Sequence, residues 1–194
     1  MKLVFATHNR NKLKEVQELL GDAYELKTLE DIGSTAEIPE TADTIEGNAL
    51  LKARYVYGHF GRNVFADDTG LEVEALGGAP GVHSARYAGE HKGAEENMDK
   101  LMREMKDEVN RKARFRTVIA LIIDGEEHVF EGIVEGEIQW VQTGLGGFGY
   151  DPLFQPEGTG RSFAEMTGEE KNRISHRGRA IRKLVDFLKN RIEP

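Results

Sequence analysis

The sequence predicts an α/β fold, a mixed β-sheet with flanking helices, and three observations carry this. The chain opens with a strand–loop–helix unit: Leu3, Val4, Phe5 and Ala6 are apolar, Thr7–Lys12 is polar, and a helical period follows. Strand-like and helix-like segments are mixed along the sequence. Asp124-Gly125 separates a long strand-like run from a second one. That dipeptide favours the two-residue turn of a hairpin, so the sheet is not purely parallel. With 194 residues, 39% of them hydrophobic, the chain is sized for a single domain, 1–194, with a sizeable core.

The elements follow in order. Residues 2–6 read as a short buried strand. From Asn11, residues Leu13, Val16, Leu19 and Leu20 recur on one helical face, and Gly21 is placed to stop the helix. Residues 23–43 are acidic and irregular, with a strand near Tyr24–Leu29. Ile45, Ala49, Ala53, Val56 and Phe60 mark a second helix over 44–60. Val64, Phe65 and Ala66 form a strand ending in Asp67-Asp68-Thr69-Gly70. A Gly/Pro loop at 77–81 precedes a third helix near 94–105, whose Met98, Leu101, Met102 and Met105 stripe reads as core packing. The hairpin strands cover 114–123 and 128–134, and residues 143–152 are glycine-rich. Thr167-x-x-Glu170 fits a capping box. A last helix, from about Ser175 to Asn190, turns Ile181, Leu184, Val185 and Leu188 inward.

Composition narrows the chemistry. The 26 basic and 34 acidic residues leave a formal charge of −8, which argues against a general nucleic-acid coat protein. A small anionic ligand needs only local positive charge and is not excluded. Without cysteine, disulfides, thiol catalysis and cysteine-ligated metals are ruled out. No uninterrupted apolar run reaches the ~18 residues of a membrane span. The N-terminus turns polar after five residues, unlike a secretory signal. A cytoplasmic protein is expected.

Four segments can carry chemistry. Thr7-His8-Asn9-Arg10-Asn11-Lys12 joins a strand to a helix start, where backbone N–H groups and the helix dipole favour an anion. Lys12, Arg10 and the Thr7 hydroxyl add donors. The same spacing also suits a plain surface turn with an Asn cap. Asp67-Asp68-Thr69-Gly70 stands at a strand end, where open α/β sheets gather ligands. Neighbouring strand residues point to opposite faces, so one carboxylate can hold a metal or orient water while the other anchors the loop. Simple turn chemistry is the alternative. In the third segment, Gly144, Gly146 and Gly149 match Gly-x-Gly-x-x-Gly, but Asp151-Pro152 follows and the next residues read extended rather than helical, so a dinucleotide fingerprint does not fit. A loop that brings backbone close to a ligand fits better, with Phe148 and Tyr150 able to stack on a base; a glycine-rich hairpin with two core aromatics is the other reading. The tail from Lys171 to Arg191 carries eight basic residues and one acid, Asp186. Arg177 and its neighbours lie near a helix start, where cations oppose the dipole and hint at a bound anion. Arg179, Arg182, Lys183, Lys189 and Arg191 read as a solvated face. Together these segments outline a nucleoside phosphate site with a divalent metal bridging carboxylates and phosphates.

An ordered set of motifs makes the reading specific. Thr7-x-Asn9-x-x-Lys12, Glu40-Thr41, Asn48-Ala49, Leu51-Lys52-Ala53 and Ala66–Leu71 are joined by Leu76–Gly81, Ser84–Tyr87, Gly146–Pro152, Glu169–Lys171 and Ser175–Gly178. From residue 3 to about 188 this series resembles the inosine triphosphate pyrophosphatase family, also called Ham1. The resemblance implies hydrolysis of ITP, dITP and XTP to the monophosphate and pyrophosphate. It also implies a Mg²⁺ requirement, a homodimer, and an elongated mixed sheet with two lobes around a nucleotide cleft. No nucleic acid or membrane partner is implied. By position, Thr7, His8, Asn9, Arg10, Asn11 and Lys12 would hold phosphate, with Lys52 nearby. Asp68 would be catalytic and a metal ligand, and Glu40 a second ligand. Thr69 would touch substrate. Phe148, Gly149, Tyr150, Asp151, Lys171, His176 and Arg177 would surround the nucleotide and select its base. Three positions depart from the pattern: His8 and Asn11 replace residues that are often small, and Gly47 stands where an acid is frequent. Two rival readings share these residues, a Maf-like pyrophosphatase of pyrimidine nucleotides and a nucleotide sensor without turnover.

Overall fold

The structure, a computed structural model, describes residues 1–21 and 24–192. Residue 23, the first of the acidic stretch, lies outside them. Six strands and five helices are assigned among the described residues: β1 (Lys2–Phe5), α1 (Arg10–Leu20), β2 (Glu25–Lys27), α2 (Ile45–Phe60), β3 (Val64–Val73), α3 (Ala94–Glu104), β4 (Lys112–Ile123), β5 (Glu126–Ile138), β6 (Phe154–Pro156), α4 (Gly168–Ile174) and α5 (His176–Ile192). The strands form one sheet in the order β2-β1-β3-β4-β5-β6. β1 pairs in parallel with β2 and β3, and β5 pairs antiparallel with β6. The mixed α/β architecture is therefore the one expected. No helix among the described residues is long and apolar enough to cross a membrane.

The chain divides into two compact units, each assembled from separate segments. The first comprises Met1–Asp68, Thr117–Gly132 and Arg177–Pro194. Its core joins Leu3, Phe5 and Phe65 of the sheet to Val16 and Leu20 of α1 and to Ile181, Leu184 and Leu188 of α5. Phe5 sits opposite Phe65 in the parallel register, and the two rings stack at 4.7 Å. The second unit comprises Thr69–Arg116 and Ile133–His176. Met98, Leu101 and Met105 pack there with Leu71, Val73, Phe115, Phe154 and Phe163, so the methionine stripe is core. Each fully buried side chain of this kind stabilises the fold by roughly 1.5–3 kcal/mol.

Local chemistry sets the element ends. The Thr44 hydroxyl accepts from Gly47 N at 2.9 Å and caps α2. At the hairpin, Asp124 (φ 51°) and Gly125 (φ 86°) both take the left-handed conformation that a two-residue I′ turn demands. Thr167 and Glu170 cap each other's backbone at the start of α4.

The structure corrects three boundaries. β3 does not end at Asp67 but runs on to Val73, so the Asp-Asp-Thr-Gly segment is mid-strand. Leu71 and Val73 are wholly buried and keep the chain extended beyond the acids. β5 does not stop at Val134. It continues to Ile138 because Val134 and Ile138 face the core while Glu135 and Glu137 alternate outward. The strand expected over Tyr24–Leu29 contracts to three residues.

Candidate active site

In the first unit, the two central acids of β3 have separate partners, as strand alternation requires. Asp67 is 2% exposed. Its Oδ1 accepts from Lys12 Nζ at 2.9 Å and its Oδ2 from Arg177 Nε at 3.1 Å. Arg177 also donates to Glu15. Burial would push the Asp67 carboxyl up, but Lys12, Arg177 and Lys52 outweigh it and hold the group well below the usual carboxylate range. Burial, with Lys52 and Arg177 nearby, lowers Lys12 despite the pull of Asp67. Burial likewise opposes the Arg177 charge, yet Asp67 and Glu15 leave its pKa raised.

Asp68 belongs to a second group. Lys52 Nζ lies 2.5 Å from Glu40 Oε1 and 3.6 Å from Asp68 Oδ1. Asn48 Nδ2 donates to Asp68 Oδ2 at 3.4 Å. Burial raises Asp68; Lys52 opposes the rise and Glu40 adds to it. For Lys52, burial is outweighed by Asp68, Glu40 and Asp67, which keep the ammonium charged. Two carboxylates thus flank one ammonium. Among the described residues no three His, Asp or Glu side chains converge as a metal cage.

The loop before α1 is a capped turn. Asn9 Oδ1 accepts from Asn11 N and Lys12 N, and Thr7 Oγ1 accepts from Asn9 N. Two backbone donors expected to meet phosphate are therefore engaged by Asn9 in this structure. His8 Nε2 lies 3.2 Å from the Ala36 carbonyl. His8, Arg10 and Asn11 are exposed, whereas the Lys12 side chain turns inward.

In the second unit, Lys171 Nζ donates to Asp151 Oδ2 at 2.6 Å, and both residues are buried. The same ammonium lies 4.5 Å from the Phe148 ring centre and 5.5 Å from that of Phe163. Asp151 Oδ2 also accepts from Phe148 N. Gly147, at φ +70°, makes this possible, because a Cβ there would lie 2.2 Å from Asp151 Oδ2. His176 stacks on Phe115 at 4.6 Å. Phe148, Gly149 and Thr69 are half-buried. Tyr150 is 5% exposed, belongs to the core, and donates its hydroxyl to the Ser84 carbonyl, which fits the core-aromatic reading of this loop better than a ring stacked on a base.

The first unit thus groups Lys12, Glu40, Lys52, Asp68 and Arg177, and the second groups Phe148, Asp151 and Lys171. Sequence reasoning gave no role to Glu15 or to Asn48. The available signal was helical spacing: Glu15 is three residues beyond Lys12, and Asn48 is four before Lys52, so each shares a helix face with a basic site residue.

The sequence model of the Ham1 family matches residues 3–187. The chain is 54% identical over 188 residues to the dITP/XTP pyrophosphatase of Flavobacterium johnsoniae, covering 97% of this chain and 98% of that protein. It is 56% identical over 188 residues to the dITP/XTP pyrophosphatase of Porphyromonas gingivalis, covering 96% and 97%. Among solved structures, the Staphylococcus aureus Ham1 protein superposes with a TM-score of 0.90 at 38% identity, covering 98% of this chain and 100% of that one. A HAM1 protein from Coxiella burnetii gives 0.91 at 38% identity, covering 98% and 99%.

Proposed function

The chain belongs to the Ham1 family, and from that premise we propose that it hydrolyses non-standard purine nucleoside triphosphates (ITP, dITP and XTP) to the monophosphate and pyrophosphate. The observation that carries the proposal is the pair of carboxylates, Glu40 and Asp68, gathered around Lys52 in the unit that also holds the inward-turned Lys12. Such a set suits phosphoanhydride chemistry, which is mainly positioning and charge neutralisation.

The donor chemistry fits a divalent cation, Mg²⁺ in our proposal. Glu40 and Asp68 offer hard oxygen ligands, and Mg²⁺ is commonly held by one or two carboxylates with water and substrate phosphates completing its shell. When bound there, it would supply positive charge beside the phosphates. The chain's own groups do the rest. Asp68 orients the attacking water and takes the proton it loses. A bond forms from the water oxygen to the α-phosphorus as the bond to the bridging oxygen breaks, and pyrophosphate leaves with that electron pair. Lys12 and Lys52 neutralise the charge that grows on it, and Thr7–Asn11 line the phosphate side.

Base choice falls to donors that reward a 6-oxo group and leave adenine's 6-amino group unmatched. Lys171, held by Asp151, and His176 are the donors we assign, with Phe148 as the stacking ring and Thr69 and Gly149 beside the nucleotide. Contact of Arg177 with the base would require breaking its buried pairs with Asp67 and Glu15. A homodimer in the cytoplasm completes the proposal.

Product analysis tests it. The purified protein is mixed with Mg²⁺ and ITP, with ATP and GTP in parallel. IMP plus pyrophosphate from ITP, with little from the controls, is the expected result. IDP plus phosphate would mean the wrong bond and a different enzyme class. Binding without product would favour a sensor, and turnover of pyrimidine nucleotides alone would favour the Maf-like reading.

A further inference from the structure

Asn48, at the end of the first turn of α2, is wholly buried beside Asp68, at 0% exposure. Its Oδ1 accepts from Ala42 N at 2.9 Å, and its Nδ2 donates to Asp68 Oδ2 at 3.4 Å. An amide has one accepting end and one donating end. With Oδ1 engaged by Ala42, only the donor can face the carboxylate. A flipped amide would set two oxygens against each other and strand the Ala42 N–H. Lys52, one turn on, makes the parallel contacts to Glu40 Oε1 and Asp68 Oδ1. One face of α2 therefore ties residues 40–42 to Asp68 twice, once through a charge and once through a neutral amide. Gly47 allows the close approach: a Cβ there would lie 2.7 Å from Ala42 Cβ and 2.9 Å from Thr44 Oγ1.

We infer that Asn48 is a positioning residue, which fixes the rotation of the Asp68 carboxylate and anchors the segment bearing Glu40, so that the two acids are set before substrate arrives. The inference rests on the reaction proposed above. Lys52 alone does not achieve this, because an ammonium is a compact charge with rotating donors that either carboxylate oxygen satisfies. The amide singles out Oδ2 and leaves Oδ1 to Lys52. Since Asn48 meets no substrate atom in this role, its loss falls on turnover rather than on substrate binding.

Two variants separate its two contacts. Asn48→Asp keeps an oxygen for Ala42 N but puts an acceptor where the donor to Asp68 was. Asn48→Ala removes both. Hydrogen exchange at the Ala42 amide, read without metal or nucleotide, reports the anchor; steady-state kinetics on ITP report the chemistry. Asn48→Asp should keep Ala42 protected, yet lower kcat at least about tenfold with KM within about twofold. Asn48→Ala should lose both protection and turnover. Native turnover in Asn48→Asp, or a loss carried by KM instead of kcat, overturns the inference. If Asn48→Ala does not fold by circular dichroism, Asn48→Asp decides alone. Should the native protein release no monophosphate and pyrophosphate from any nucleotide, the proposed reaction fails, while the exchange measurement still stands: unchanged Ala42 exchange in a folded Asn48→Ala protein overturns the anchor.

Discussion

Asp67 and Asp68 are adjacent and both buried, yet their surroundings set them to different work. Asp67 is held ionised between Lys12 and Arg177, with a pKa well below the usual range. Asp68 is raised by burial and shares Lys52 with Glu40. Asp68→Asn should therefore cost orders of magnitude in kcat while the protein stays folded; near-native turnover of ITP would remove Asp68 from the chemistry. Arg177→Met should act on stability first. It leaves Asp67 and Glu15 without their shared cation, and breaking a buried pair in this way costs about 3–5 kcal/mol. Denaturant unfolding checks this, and a loss below about 1 kcal/mol would mean that solvent screens the pair.

At the scale of elements, what could be read depended on how local the signal was. The helices, the capping box of α4 and the Asp124-Gly125 turn were legible because periodicity, caps and turn residues lie within a few positions of one another. β6 was legible only as extended chain after Pro152, because three residues ending in a proline show no period that marks a strand. The true end of β3 was also hidden. Thr69-Gly70 signals a turn, and only the burial of Leu71 and Val73 overrides it. The glycine loop before β6 yields a prediction of its own. Gly147→Ala combines a positive φ with a Cβ 2.2 Å from Asp151 Oδ2, so it should displace Asp151 and loosen Lys171. KM for ITP should rise about tenfold, equivalent to ~1.4 kcal/mol, with a smaller change in kcat. An unchanged KM would show that this loop does not meet the nucleotide.

For the whole molecule, the described residues supply two carboxylates near Lys52 and no cage of three metal-binding side chains. A cation held by only these two would depend on substrate and water for its other ligands. Chelation with EDTA should thus abolish hydrolysis without unfolding the protein, and added Mg²⁺ should restore it. Full activity after exhaustive chelation would sink the metal part of the proposal. Sedimentation of the native protein tests the expected homodimer.

By itself the sequence determined the mixed α/β class, most helix boundaries and the family, and it singled out Lys12, Glu40, Lys52, Asp68 and Lys171 as candidates. Those follow from periodicity, turn chemistry and ordered motifs, which are properties of neighbours along the chain. Only the tertiary structure decided their partners. Glu15 and Arg177 are separated by 162 positions and Arg177 and Asp67 by 110, and no local pattern links a charge to a counter-charge that far away. Tyr150 passed to the core and Asn48 into the Asp68 cluster for the same reason. Burial is set by what the folded chain brings against a side chain, and in a low-dielectric interior each polar group must find its partner wherever the fold supplies one.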